Sequence, residues 1–141
     1  MDLSYIVTTF LRVGAGLGTT LKLFFITILA SLPLGFLITM MMRSGIAPLR
    51  WLSKSFVYLM RSTPLVLQLL FIYFGLPYLP YIGHWFRQMG RFTAPIWGFV
   101  LNYAAYFAEI FRGGLLAVDK GQFEAAKVLG LTRRQTITRV V

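Results

Sequence analysis

A chain of 141 residues that is 57% hydrophobic and 16% aromatic, with a mean hydropathy of +0.72, is too apolar for an ordinary soluble domain, so a bilayer is its expected solvent. Fourteen Lys and Arg oppose four carboxylates for a net charge of +10, but the cations cluster at the ends of apolar runs, which points to lipid rather than nucleic acid. Cysteine is absent, which removes any disulfide framework, thiolate metal site or thiol nucleophile.

At the N-terminus, Asp2 stands where a signal peptide carries basic residues, and no small-residue cleavage site follows, so the first apolar run is expected to be retained. Leu3, Ile6, Val7, Phe10 and Leu11 recur at helical spacing, the pattern of an interfacial helix over residues 2–17. The glycines of GAGLGTT follow no strand and fit neither Gly-rich phosphate-loop spacing. Residues 23–42 then run without a charge, close to the ~20 residues a helix needs to cross a ~30 Å hydrocarbon core. Pro33 and Gly35 fall inside this first span, where neighbouring helices can satisfy the freed carbonyl, and a kink is expected.

A second span is expected over about 53–74, with Arg61 and Pro64 inside it and Gly75, Leu76 and Pro77 ending it. Tyr81, His84, Trp85, Arg87 and Arg91 give the connection 78–93 the aromatic and basic mixture of a headgroup region. The third span is expected over about 95–118 and contains Glu109 and Arg112. No internal repeat or Pro- or Ser-rich linker divides the chain, so residues 1–141 read as one all-α membrane domain with about three transmembrane helices. Counting cations in the connections places Arg12, Lys22, Arg87 and Arg91 on one side. On the other stand Arg43, Arg50, Lys54, Lys120, Lys127, Arg133, Arg134 and Arg139, and this imbalance predicts an outside N-terminus.

Ionisable residues inside spans cost ~2.5 to 3.5 kcal/mol each at a helix centre, so Arg61, Glu109 and Arg112 call for partners or water. On straight helices Arg61 and Glu109 fall at similar depths, ~12 Å and ~13 Å from the inner face, and can pair across spans two and three. Arg112 follows Glu109 by three residues and can share its carboxylate. Two roles stay open for these three residues, a structural ion-pair cluster or the lining of a polar solute path. Gln68 and Asn102 are further candidates for hydrogen bonds between spans.

Past the third span, Gly121 is expected to break the helix, after which Phe123, Ala126, Val128 and Leu129 form an apolar stripe bordered by Glu124, Lys127, Arg133 and Arg134. Gly130 and Thr132 supply a stop and a fresh N-cap, so residues 119–141 read as helix, turn, helix, suited to lie on lipid or to fit a groove in a protein.

The run AYFAEIFRGGLLAVDKGQFEAAKVLGLTRRQTITRVV resembles the signature of permease subunits of ATP-binding-cassette importers: Glu-Ala-Ala, three residues, Gly, nine residues, then an aliphatic residue. Glu124, Ala125, Ala126, Gly130 and Val140 stand at those places, and TTLKLFF and MRSTPLVLQLLFIYFGLP resemble the polar amino-acid uptake branch of the same family. The resemblance implies a cytoplasmic coupling helix seated in a groove of a cytosolic ATPase dimer, with Glu124 giving a polar or ionic contact, Ala125 and Ala126 close packing, and Gly130 the turn. It implies a multi-pass inner-membrane protein of a permease fold normally with more spans, partnered by a second permease copy or paralogue and an extracytoplasmic solute-binding protein. The solute would be a polar amino acid or related amine or opine. The chain itself would be no enzyme and hold no cofactor, because ATP and Mg would be bound by the partner ATPase. Family members continue to a Leu-Pro pair and further spans while this sequence stops at Val141, so an incomplete permease is expected. The alternative is a non-transporting membrane adaptor that recruits a cytosolic protein through the same helix.

Overall fold

A computed structural model describes residues 3–88, 90 and 92–140, so Asp2, Arg91, Val141 and the Leu3 side chain lie outside the described part. Among the described residues the fold is helical and without strands. Its elements are α1 (Leu3–Met42), α2 (Ala47–Ser62), α3 (Leu65–Leu70), α4 (Gly83–Arg87), α5 (Thr93–Ala117), α6 (Lys120–Val128) and α7 (Arg133–Arg139). One π turn (Phe71–Gly75) and one 3-10 turn (Leu76–Tyr78) extend α3.

The expected interfacial helix and first span are a single helix. α1 runs 40 residues through the glycines, Lys22 and Pro33. At 1.5 Å per residue it is about 60 Å long, twice a ~30 Å hydrocarbon core. Backbone hydrogen bonding is indifferent to the change in composition at Lys22, so a shift from mixed to apolar residues need not mark a helix end. Tyr5, Phe10, Leu11 and Val13 are 70% exposed or more, so the N-terminal part of α1 makes little contact with the rest of the chain. α1 is the one described helix that alone is long and apolar enough to cross a membrane.

The expected second span is not straight. α2 and the α3 segment meet at a bend of 106° and make a second crossing only if the bent pair is counted as one. Pro64 is the cause: it cannot donate to the Met60 carbonyl, and it holds Thr63 in an extended conformation (φ −111°, ψ 139°). Helical turns also continue past Gly75 to Tyr78. α5 has 25 residues, but Asn102, Glu109 and Arg112 keep it below the apolarity of α1.

α1 and α5 pack closely because small residues face each other. Ser31, Thr39, Ala104, Ala105 and Ala108 are fully buried, and a Cβ added at Gly35 would stand 2.7 Å from the Phe107 Cβ and 2.9 Å from the Ala104 carbonyl oxygen. Without a hydrophobic force between helices in lipid, such small-residue contact is a main source of association. The Thr39 hydroxyl donates to the carbonyls of Gly35 (2.9 Å) and Ala108 (3.0 Å), adding a polar tie between the two helices. α2 closes the core through Val57, packed with Ile38 and Met42. In the connection, Tyr78, Tyr81 and Trp85 are strongly exposed, as an interfacial belt requires, and the Arg87 Nε donates to the Pro77 carbonyl at 2.9 Å.

Candidate functional site

Two groups of sequence-predicted residues are brought together, one at the α5–α2 contact and one on the α6–α7 segment. Glu109 receives Arg112 from one turn further along α5, with an Nη2 to Oε2 distance of 2.7 Å and a Nε hydrogen bond of 2.9 Å. Arg61, from the last turn of α2, lies 3.8 Å from Oε1 of the same carboxylate, and its guanidinium stands 5.6 Å from the centre of the Tyr106 ring. The Arg112 pair is therefore the tighter, and Arg61 divides its attraction between a carboxylate and an aromatic face. Met42, the last residue of α1, and Lys54 line the same cleft of about 370 Å³. The cluster thus sits beside the C-terminal end of α1, where two of its three side chains remain about two-fifths exposed.

Deeper between α2, α3 and α5 lies a network whose full form the sequence does not reveal. Because Pro64 lacks an N–H, the Met60 carbonyl loses its helical donor and receives instead the side-chain amides of Gln68 (2.9 Å) and Asn102 (3.2 Å). Asn102 also donates to the Gln68 Oε1 at 3.0 Å, and Gln68 reaches the Thr63 hydroxyl at 2.7 Å. Pro64 marks Met60 as the residue needing a donor, four positions back. That the donors come from residues 68 and 102 depends on the bend and on α5.

The α6–α7 segment is helix, turn, helix. Its start differs from the Gly121 break: α5 ends at Ala117, and Asp119 caps α6 by accepting from the Gly121 N–H at 2.6 Å, so Gly121 lies in the first turn of α6. At the other end Gly130 takes φ +70°, its N–H donates to the Lys127 carbonyl and the Leu131 N–H to the Ala126 carbonyl, a Schellman stop. Thr132 and Gln135 form a reciprocal capping box that begins α7. The predicted apolar stripe divides: Ala126 is buried, whereas Val128 (87%) and Leu129 (76%) face outward. Glu124, Ala125 and Gly130 are exposed beside them, and Glu124 makes no ion pair among the described residues. The outer surface of the segment is consequently a carboxylate, small residues and two uncovered aliphatic side chains, a composition that can seat against a protein groove.

Residues 31–141 match the family described as the binding-protein-dependent transport system inner membrane component, and the chain belongs to this family. It is 39% identical over 135 residues to the probable amino-acid ABC transporter permease protein YckA of Bacillus subtilis, covering 96% of this chain and 57% of that protein. It is 41% identical over 116 residues to the arginine transport system permease protein ArtQ of the same organism, covering 82% of this chain and 51% of that one. Against the nopaline transport system permease protein NocM of Agrobacterium fabrum the identity is 34%, over 100% of this chain and 60% of that one. The crystal structure of an amino acid ABC transporter with histidines superposes with a TM-score of 0.81 at 36% identity, over 97% of this chain and 61% of that chain. The chain therefore has the helical fold of an ABC permease and is a membrane protein, and it spans somewhat more than half the length of these relatives. The adaptor alternative finds no support among them, since each relative is described as a permease.

Proposed function

We propose that this chain forms part of the membrane-spanning subunit of an ATP-driven importer for a polar amino acid or a related amine or opine. In this reading α6 is the element that receives the conformational change of a cytosolic ATPase dimer and passes it to an alternating-access pathway. The observation that carries it is the outward face of α6: Glu124, Ala125, Val128 and Leu129 are exposed together, while Ala126 is buried and the Schellman turn at Gly130 ends the helix before α7.

The remaining parts of the assembly follow from the same reading. ATP and Mg are held by the ATPase, a second permease copy or paralogue completes the pathway, and an extracytoplasmic binding protein delivers the solute. The chain is multi-pass with its N-terminus outside, so α6 and α7 face the cytosol. The test is co-purification of the ATPase with the full permease, wild type against Glu124→Lys, together with solute uptake. Loss of ATPase retention and of uptake is expected; equal retention and equal uptake would refute the coupling role.

A further inference from the structure

Between the C-terminal end of α1 and the α6–α7 pair lies a cleft of about 560 Å³, within the ~300–1,000 Å³ range of small-molecule sites. Its rim carries Arg43, Lys127 and Arg133, and its floor includes Phe36, Met40 and Ile137. Among the described residues no carboxylate lines it and none of the three cations takes part in an ion pair. Glu124 belongs to the outward face of α6 and is not part of this cleft.

The two halves of this lining call for two properties in one ligand. Three cations without a counter-ion call for a negatively charged group, and the apolar floor calls for hydrocarbon. Position supplies the third condition. Phe36 and Met40 lie on the helix that is itself apolar enough to cross the bilayer, and Arg43 follows immediately after its last residue. From Phe36 to Arg43 the axis rises about 10 Å, roughly the distance from upper acyl carbons to phosphate. A soluble phosphate would leave the floor bare, and an acidic peptide would have to come down to the level of the acyl chains.

We propose that this cleft binds the headgroup and upper chain of an anionic phospholipid from the adjoining leaflet, with Arg43, Lys127 and Arg133 around its phosphate. Such a lipid bridges α1 to both α6 and α7, tying the segment to the bilayer by a contact that none of these helices makes alone. Basic side chains near an anionic leaflet contribute ~1 kcal/mol each, which corresponds to about fivefold in retention per cation.

The test uses the full permease purified in nanodiscs of phosphatidylcholine with one-fifth phosphatidylglycerol, with retained lipid read by native mass spectrometry after release into detergent. Wild type should retain phosphatidylglycerol in preference to phosphatidylcholine. Arg43→Gln, Lys127→Gln and Arg133→Gln should each lower that preference about fivefold, and the triple variant should abolish it. Arg43→Lys and Arg133→Lys keep the charge and should retain the lipid, separating binding from misfolding. Arg139→Gln, on α7 but outside the cleft, should leave it unchanged. Equal retention of the two lipids by wild type overturns the proposal, and is the result expected if another segment of the permease itself fills the cleft instead. Undiminished preference in the triple variant, or an equal loss with Arg139→Gln, overturns it as well. The readout needs neither ATPase nor solute, so it is independent of the coupling reading.

Discussion

Gly35→Ala sets helix propensity against packing, and the structure decides the sign. Alanine in a helix interior is favoured over glycine by ~1 kcal/mol, so a position with open space should gain stability. At Gly35 the new methyl would lie 2.7 Å from the Phe107 Cβ, 2.9 Å from the Ala104 carbonyl oxygen and 3.2 Å from the Ala108 amide nitrogen, all short of ordinary contact. Two of the three atoms are backbone and the third is a Cβ, so no flexible side-chain end can move aside. α1 and α5 must separate by roughly half an ångström, and a gap of 0.5–1 Å forfeits about a quarter to a half of each dispersion contact. The separation also stretches the Thr39 bond to the Ala108 carbonyl, of a kind worth ~0.6 kcal/mol on average in membranes. With overpacking at ~1–3 kcal/mol, the net change is a destabilisation of about 0.5–2.5 kcal/mol after the propensity gain. Thermal unfolding in detergent, followed by helical circular dichroism, should show a lower midpoint for Gly35→Ala. Gly113→Ala, on α5 with nothing within 4 Å of its added methyl, is the control and should be neutral or slightly stabilising. If both variants behave alike, close approach of α1 and α5 at Gly35 is refuted.

Asn102→Leu removes one of the two donors to the Met60 carbonyl and leaves the Gln68 oxygen without its Asn102 partner, so a loss of about 1–3 kcal/mol is expected, measurable by the same unfolding assay. In double-mutant cycles, Glu109→Gln should couple more strongly to Arg112→Met than to Arg61→Met, following distances of 2.7 and 3.8 Å, and with side chains this exposed both couplings should stay below about 1 kcal/mol. A stronger Arg61 coupling would contradict the geometry. Gly130→Ala forces a side chain into the left-handed region and should destabilise the α6–α7 turn by ~1 kcal/mol, seen as faster proteolysis there without loss of the α1–α5 core.

What the sequence disclosed was local chemistry. The stop at Gly130 and the cap at Thr132 depend on residues within one turn, and they stand where the spacing places them. The proximity of Arg112 to Glu109 follows from a three-residue separation on one helix. Boundaries inferred from composition fared differently. Lys22 is a charge within a continuous helix, and Gly121, weak in propensity, is accommodated in the first turn because Asp119 caps it. Pro64 had a local consequence that was open to view, an extended Thr63 and an unpaired Met60 carbonyl. The 106° bend and its repair by Asn102, 42 residues away from Met60, depend on tertiary contact and have no signature in the sequence. The split of the stripe on α6 is similarly tertiary: periodicity groups Ala126 with Val128 and Leu129, but of these three only Ala126 is buried.

The joint between α5 and α6 consists of Val118 and Asp119 alone, and the Asp119 side chain is bonded into the helix it begins. There is thus almost no slack between the two helices. In the proposed coupling role, a displacement of α6 would be delivered to α5 at its C-terminal end through these two residues. α5 is packed on α1 through fully buried alanines and the Thr39 tie, so in that role the two long helices would take up the displacement together.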